Sequence, residues 1–284
     1  MLDAGGAKPE STDMTGRLLI FGMGYTAGRL GTRLRLGGWD VTGIRRQATD
    51  GCVAFDDAAS VQAAIASATH ILSSVPPLSE GGDPVLLQYG ADIAANASCW
   101  IGYLSATGVY GDTQGAWVDE SAPVGLGRRT ARAEADLEWQ NLGSVFRLPG
   151  IYGPGRSALD RVQSGRARRI DLPGQVFSRV HVDDIVSGVI AGINGPRGCY
   201  NLTDDFPCGQ NAVIEYACAL LGRPLPPMQS LDEAKLLPMA RGFYGENRRI
   251  SNGKAKRLLG WAPVYSNYKQ GLDAILHAVI KVLH

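Results

Sequence analysis

Apolar residues fall along this chain in two alternating rhythms. Leu18-Leu19-Ile20-Phe21 is a continuous apolar run of strand length, as expected of a strand buried on both faces of a parallel sheet. Runs of the same kind predict strands over 17–22, 40–46, 52–55, 69–75, 100–105, 144–148 and 199–202. Between them the spacing lengthens to that of helices. Ala27, Leu30 and Leu34 line one face after the first strand. Asp57 caps an Ala-rich stretch over 58–68. A helix over 83–97 has Pro84 in its first turn, and a charged helix spans 130–141. Val182, Ile185, Val186, Val189, Ile190 and Ile193 form the buried stripe of a helix opened by Asp183 and Asp184, whose charges suit its dipole. Helices over 211–221, ended by Gly222, and over 268–283 complete the pattern. This alternation predicts an α/β fold, a Rossmann-type doubly wound parallel sheet. Over 223–246 the rhythm dissolves into Pro-rich and mixed polar sequence. A small C-terminal substrate lobe is expected, mainly from 151–180 and 205–265, within a single domain over 14–284. Residues 1–13 read as a flexible N-terminal extension.

Composition narrows the partners. The chain has 284 residues, 45% hydrophobic, with a net charge of +1. That balance gives no electrostatic reason to expect nucleic acid or a membrane surface, and no apolar run approaches the ~20 residues of a membrane span. The five cysteines contain no CxxC pair, and the four histidines show no ligand spacing. No metal site is therefore expected, and the cysteines read as reduced thiols in a cytoplasmic protein. A small-molecule substrate is the expected partner, with a homodimer open.

The candidate chemistry begins where the first strand ends. Gly22-Met23-Gly24-Tyr25-Thr26-Ala27-Gly28 is a glycine turn between a strand and a helix, the context in which such a motif signals dinucleotide binding. Gly22 permits the tight turn and Gly24 the approach of a pyrophosphate. Ala27 or Gly28 supplies the small residue that lets the helix lie close to the strand. The phosphates would rest on the first amides of the helix, at Tyr25, Thr26 and Ala27. At the end of the second strand, 21 residues after Gly24, stand Arg45 and then Arg46, with no acid at either place. Arginine there accommodates the 2′-phosphate of NADP, where an acid would bind the 2′-hydroxyl of NAD; NADP is the expected cofactor, ahead of NAD. Ser73, Ser74 and Val75 end the fourth strand, on the side where ligands bind. The serines line the cofactor or satisfy local backbone groups.

With these features, several segments resemble the extended or atypical short-chain dehydrogenase/reductases, often labelled NAD-dependent epimerase/dehydratases. The carriers are the glycine turn, Leu104-Ser105-Ala106-Thr107-Gly108-Val109-Tyr110-Gly111, Arg147-Leu148-Pro149-Gly150-Ile151-Tyr152-Gly153-Pro154-Gly155, Ser178-Arg179-Val180-His181-Val182-Asp183-Asp184-Ile185, and Leu259-Gly260-Trp261-Ala262-Pro263. The resemblance implies a serine or threonine that bonds the substrate oxygen, and a YxxxK pair whose tyrosine moves the proton while the lysine lowers its pKa. Here the family's serine position is Ala106, flanked by Ser105 and Thr107. If Glu134 is the helical glutamate that follows the pair, the tyrosine position is Leu126 and the lysine position Thr130.

Three readings follow. Tyr110, with Ser105 and Thr107, takes over the acid/base work. Arg128 or Arg129 binds an anionic substrate or the cofactor in place of the lysine. Or the protein binds NADP without turnover, as a sensor or interaction protein. The resemblance also implies that Arg147 and Tyr152 reach nicotinamide or substrate and that His181 lies beside the cofactor, and Asn252 reads as a turn. The expected function is that of an NADP-binding oxidoreductase, epimerase or dehydratase acting on a small polar or nucleotide-linked substrate.

Overall fold

A computed structural model describes residues 15–49, 51–128 and 130–283; Arg129 and the predicted extension over 1–13, with Met14, lie outside the described residues. Seven strands form the central sheet: β1 (Arg17–Phe21), β2 (Asp40–Arg45), β3 (Cys52–Ala54), β4 (His70–Ser73), β5 (Trp100–Ala106), β6 (Ser144–Leu148) and β7 (Cys199–Asn201). All pair in parallel, in the order β7-β6-β5-β4-β1-β2-β3. The order reverses at β1, and in an open parallel sheet a ligand crevice forms at such a switch, beyond the carboxyl ends of the strands.

Alternation along a strand sends neighbouring side chains to opposite faces, and β1 shows the result. Leu18 and Ile20 enter one core layer; Leu19 and Phe21 enter the other. The first layer is covered by α1 (Tyr25–Leu36) and the helix Val182–Asn194, the second by α2 (Ala58–Ser67), α3 (Pro84–Ala95) and α4 (Thr130–Gln140). The cap expected at Asp57 is present, and Asp83 supplies a second one. The Asp57 carboxylate accepts from the Ser60 amide, and Asp83 accepts from Val85 and Leu86. Asp83 is fully buried because Trp139 Nε1 also donates to it, at 3.0 Å; both cap and helix contact are thereby satisfied.

A separate apolar cluster joins Tyr152, Ala158, Leu159, Val213, Ile214, Leu272 and Ile275. It is built from the helices Ala158–Gln163, Gln210–Leu220 and Tyr268–Leu283. The sequence pattern missed the first of these helices. It also missed three short parallel strand pairs, among them Gly150–Tyr152 with Arg179–His181.

Candidate functional site

The crevice is built around the turn after β1. Gly22 has φ +83°, and a Cβ there would stand 2.9 Å from Ser74 Oγ and 3.0 Å from Val75 Cγ2. Positive φ and close neighbours both demand glycine. Gly24 is different: a Cβ would meet only the Gly22 carbonyl, at 3.9 Å. The turn is therefore open above the first amides of α1, at Tyr25, Thr26 and Ala27, and the first turn of that helix carries no acid. Of the two small residues, Ala27 is the one against the sheet, 1% exposed, while Gly28 has nothing within 4 Å of a Cβ. The small residue packed on the sheet is thus that of the GxGxxA pattern, and Gly31 provides the next close approach, with Met23 Cε at 3.3 Å and Val41 Cγ1 at 3.4 Å.

Arg45 ends β2, exposed, and its guanidinium bonds the Met23 carbonyl inside the glycine turn. Arg46 follows it on the surface. From β4, the Ser74 hydroxyl donates to the Gly22 carbonyl at 2.5 Å, and Ser73, fully buried, accepts from the Val75 amide at 3.4 Å. Ser74 thus serves the backbone of the glycine turn, and Ser73 that of its own strand end. Val75 seals the turn from below.

Two of the three hydroxyl candidates for proton transfer, Ser105 and Tyr110, are bonded into a buried polar row. The parallel register sets Ser105 beside Arg147 and Arg147 beside Asn201, one row across β5, β6 and β7. The row faces α4, where Asp136 lies. Ser105 donates to Asp136 Oδ2 at 2.6 Å. Arg147 holds the same carboxylate with two bonds, Nε to Oδ2 at 3.0 Å and Nη2 to Oδ1 at 2.6 Å. Its Nη1 donates to the Tyr110 hydroxyl at 2.9 Å, which donates onward to Asn201 Oδ1 at 2.8 Å. Arg147 and Tyr110 are each 2% exposed, and burial pushes the Tyr110 hydroxyl well above its ordinary pKa. Arg147 is thus held as a buried ion-pair partner of Asp136. Ser105 and Tyr110 are spent on the same network. Thr107 opens the short 3-10 turn Thr107–Tyr110 and is buried.

The residues at the family's acid/base positions are exposed instead. Leu126 is 77% exposed on a loop docked against that 3-10 turn, where the Gly125 amide donates to the Val109 carbonyl at 2.9 Å. Thr130 begins α4, exposed. Arg128 lies between Glu246, 3.4 Å from its Nε, and the Phe243 ring, whose centroid is 5.4 Å from the guanidinium carbon.

The strand of Tyr152 pairs with Arg179–His181, so Tyr152 shares a face with His181, their rings 5.2 Å apart. Its hydroxyl points at Gly271, where a Cβ would come within 2.1 Å. The side chain packs in the C-terminal apolar cluster. His181 caps the helix Val182–Asn194, its Nδ1 accepting from the Asp183 amide at 3.2 Å. Asn252 donates from Nδ2 to the Thr203 carbonyl and to Asp205 Oδ1, both at 2.8 Å, at the start of the helix Gly253–Leu259.

Two groups escaped the sequence reading. Asp136 had a signal, a carboxylate spaced three residues from Ala133 and from Trp139 on the buried face of α4. Arg156 had another, standing directly after Gly153-Pro154-Gly155.

No family model matches the chain. A functionally unknown conserved protein from Silicibacter pomeroyi is 42% identical over 93% of this chain and 99% of that one, with a TM-score of 0.82. The chain is a relative of that protein, with the fold of the extended short-chain dehydrogenase/reductases and NAD-dependent epimerase/dehydratases. A human epimerase family protein crystallised with NADPH shares that fold at 15% identity, covering 92% of this chain and 99% of its own, with a TM-score of 0.72. Other solved proteins of the fold were crystallised with NAD. A curated relative, the 3-diazoavenalumate denitrifying reductase of a Streptomyces species, is 30% identical over 178 residues, 55% of this chain; the match spans 58% of that enzyme's length. No helix among the described residues is long and apolar enough to cross a membrane.

Proposed function

We propose that the protein is an NADP-dependent reductase of a small polar substrate. One observation carries this reading: the crevice keeps an open glycine turn flanked by Arg45, while the acid/base positions hold Ala106, Leu126 and Thr130. The open face of Gly24 fits a pyrophosphate, and the first amides and dipole of α1 favour it. Arg45 occupies the strand end that meets the adenosine ribose in this fold, and its guanidinium suits a 2′-phosphate. NADPH in the human structure agrees with that choice.

A bound nicotinamide would supply hydride. Epimerases and dehydratases begin by oxidising an alcohol, and the hydroxyl proton needs a base. Ala106, Leu126 and Thr130 offer none, and the Ser105 and Tyr110 hydroxyls are already bonded within the buried row. Reduction of an acceptor that takes no proton from the protein suits these residues better. The Streptomyces relative is named for the reductive removal of nitrogen from a diazo compound, and an electron-poor acceptor of that kind is the substrate class we favour, ahead of a nucleotide-linked sugar. Arg128 at the opening would meet an anionic group on it.

The test is direct. NADPH and NADH titrations of the purified protein should show a preference for NADPH. Arg45→Ala should weaken NADPH about tenfold, the scale of one charge-assisted contact, and leave NADH unchanged. Equal affinities in the wild type would remove the NADP assignment. Nicotinamide absorbance should fall with a diazo or quinone-type acceptor. NADPH binding without oxidation across diazo, carbonyl and sugar-nucleotide panels would instead favour a non-catalytic NADP-binding protein.

A further inference from the structure

Three arginines stand around the opening of the glycine turn, and they differ in what holds them. Arg29 is paired with Asp183, Nε to Oδ1 at 2.6 Å and Nη2 to Oδ2 at 3.1 Å. Arg45 is bonded to the Met23 carbonyl. Arg156 is exposed, and no carboxylate pairs with it among the described residues. Its guanidinium carbon lies 5.7 Å from the centroid of the Tyr25 ring, the first side chain of α1.

The chain goes to some length to put Arg156 there. The turn Gly153–Arg156 is closed by the Arg156 amide donating to the Gly153 carbonyl at 3.0 Å, with Gly155 at φ +74°. The Tyr25 hydroxyl donates to the Pro154 carbonyl at 3.1 Å. Gly153 has no room for a side chain: a Cβ would stand 2.5 Å from the Tyr25 hydroxyl and 2.6 Å from Val182 Cγ1. Directly after Arg156, Ser157 and Asp160 form a capping box, so the Asp160 carboxylate is occupied by the Ser157 amide and hydroxyl at 2.7 and 2.6 Å. The turn is thus fixed to α1 on one side and to a capped helix on the other, with a guanidinium presented between them over the side chain of Tyr25.

We propose that Arg156 is a second cation of the dinucleotide site, reading the pyrophosphate from the side opposite the amides of α1. Tyr25 sets its position by offering a ring for the guanidinium to lie over. The inference rests on the dinucleotide reading above. It divides the labour between two arginines: Arg45 distinguishes NADP from NAD, and Arg156 holds the part the two cofactors share.

Binding measurements on the full chain separate these roles. NADPH, NADH and 2′-AMP, which carries the ribose phosphate without a pyrophosphate, are titrated against wild type, Arg156→Ala, Arg156→Lys and Arg45→Ala, with circular dichroism confirming the fold of each. Arg156→Ala should weaken NADPH and NADH by the same factor, about tenfold or more, and leave 2′-AMP unchanged. Arg156→Lys should recover part of the loss, since it keeps the charge without the fork. Arg45→Ala should weaken NADPH and 2′-AMP but not NADH. Unchanged NADPH and NADH binding in Arg156→Ala, or an equal loss of 2′-AMP, would overturn the assignment. Failure of the wild type to bind either dinucleotide would overturn the cofactor reading itself, a result visible before any variant is compared.

Discussion

The glycine turn and the polar row across β5, β6 and β7 lie at the same edge of one sheet and treat polar groups in opposite ways. Around the turn, the first amides of α1 lie under an open face, no acid fills its first turn, and Arg156 carries no carboxylate partner among the described residues. In the row, Ser105, Tyr110, Asp136, Arg147 and Asn201 bond one another in a closed, buried chain. Partner-less groups near solvent are free to take a ligand. Buried groups that satisfy one another stabilise a structure, and using any of them in catalysis would first require breaking a bond in a poorly solvating interior. The difference explains how a chain can keep the binding half of a family site while its family-like hydroxyls do structural work.

Breaking the row should have the largest effect. Asp136→Ala leaves the Arg147 charge buried without its counter-ion, and unfolding in urea should show a loss of about 3–5 kcal/mol. Replacing both partners, Asp136→Leu with Arg147→Met, should recover much of that loss, because no charge is then stranded. A double variant as unstable as Asp136→Ala would mean that the row contributes more than its charges.

A third group of buried atoms sharpens the contrast, for it is neither spent nor exposed. Tyr152 Oη, His181 Nε2 and Asp204 Oδ2 have no hydrogen-bond partner among the described residues. Burial pushes Asp204 up to about 7 and His181 down to about 4. Their linkages oppose each other. Asp204 binds its proton more tightly when folded, so its contribution is complete below its unfolded value near 4 and is lost as pH rises through about 7. His181 binds its proton less tightly when folded, so its contribution is complete above its unfolded value of 6.5 and is lost as pH falls through about 4. Between about pH 4 and 6.5 the two slopes cancel. Asp204→Asn should therefore make stability rise with pH across that window, by up to about 1.4 kcal/mol per pH unit. His181→Gln should make it fall. Urea midpoints at several pH values measure both, and unchanged slopes in both variants would show that these groups do not titrate on folding.

What the sequence disclosed follows from these same distinctions. The strands of the sheet and its flanking helices were legible because each buries a periodic set of side chains, as in β1, where successive residues enter opposite layers. The strand pair Gly150–Tyr152 with Arg179–His181 was not, since three residues are too few to show a period. That pair sets Tyr152 beside His181. The glycine turn was legible down to Gly22 and Gly24, but Ala27 and Gly28 could be told apart only by what stands beside each Cβ. Arg147 was visible as a charged strand residue. Its use depended on Asp136, placed opposite by tertiary packing, and chain order does not reveal that meeting.

The smallest expected effect is the most specific to the chemistry. Ser105 flanks the position where the family places a catalytic hydroxyl, yet its own hydroxyl is committed to Asp136 Oδ2. In Ser105→Ala that oxygen still accepts from Arg147 Nε at 3.0 Å, so no acceptor is left bare, and the cost should be that of one ordinary hydrogen bond, about 1 kcal/mol. NADPH affinity should not change, and neither should the rate of NADPH oxidation with an acceptor the wild type reduces. A fall in rate at constant affinity and stability would place Ser105 back in the chemistry. It would also mean that the row opens during turnover, because the hydroxyl cannot reach an acceptor while Asp136 holds it.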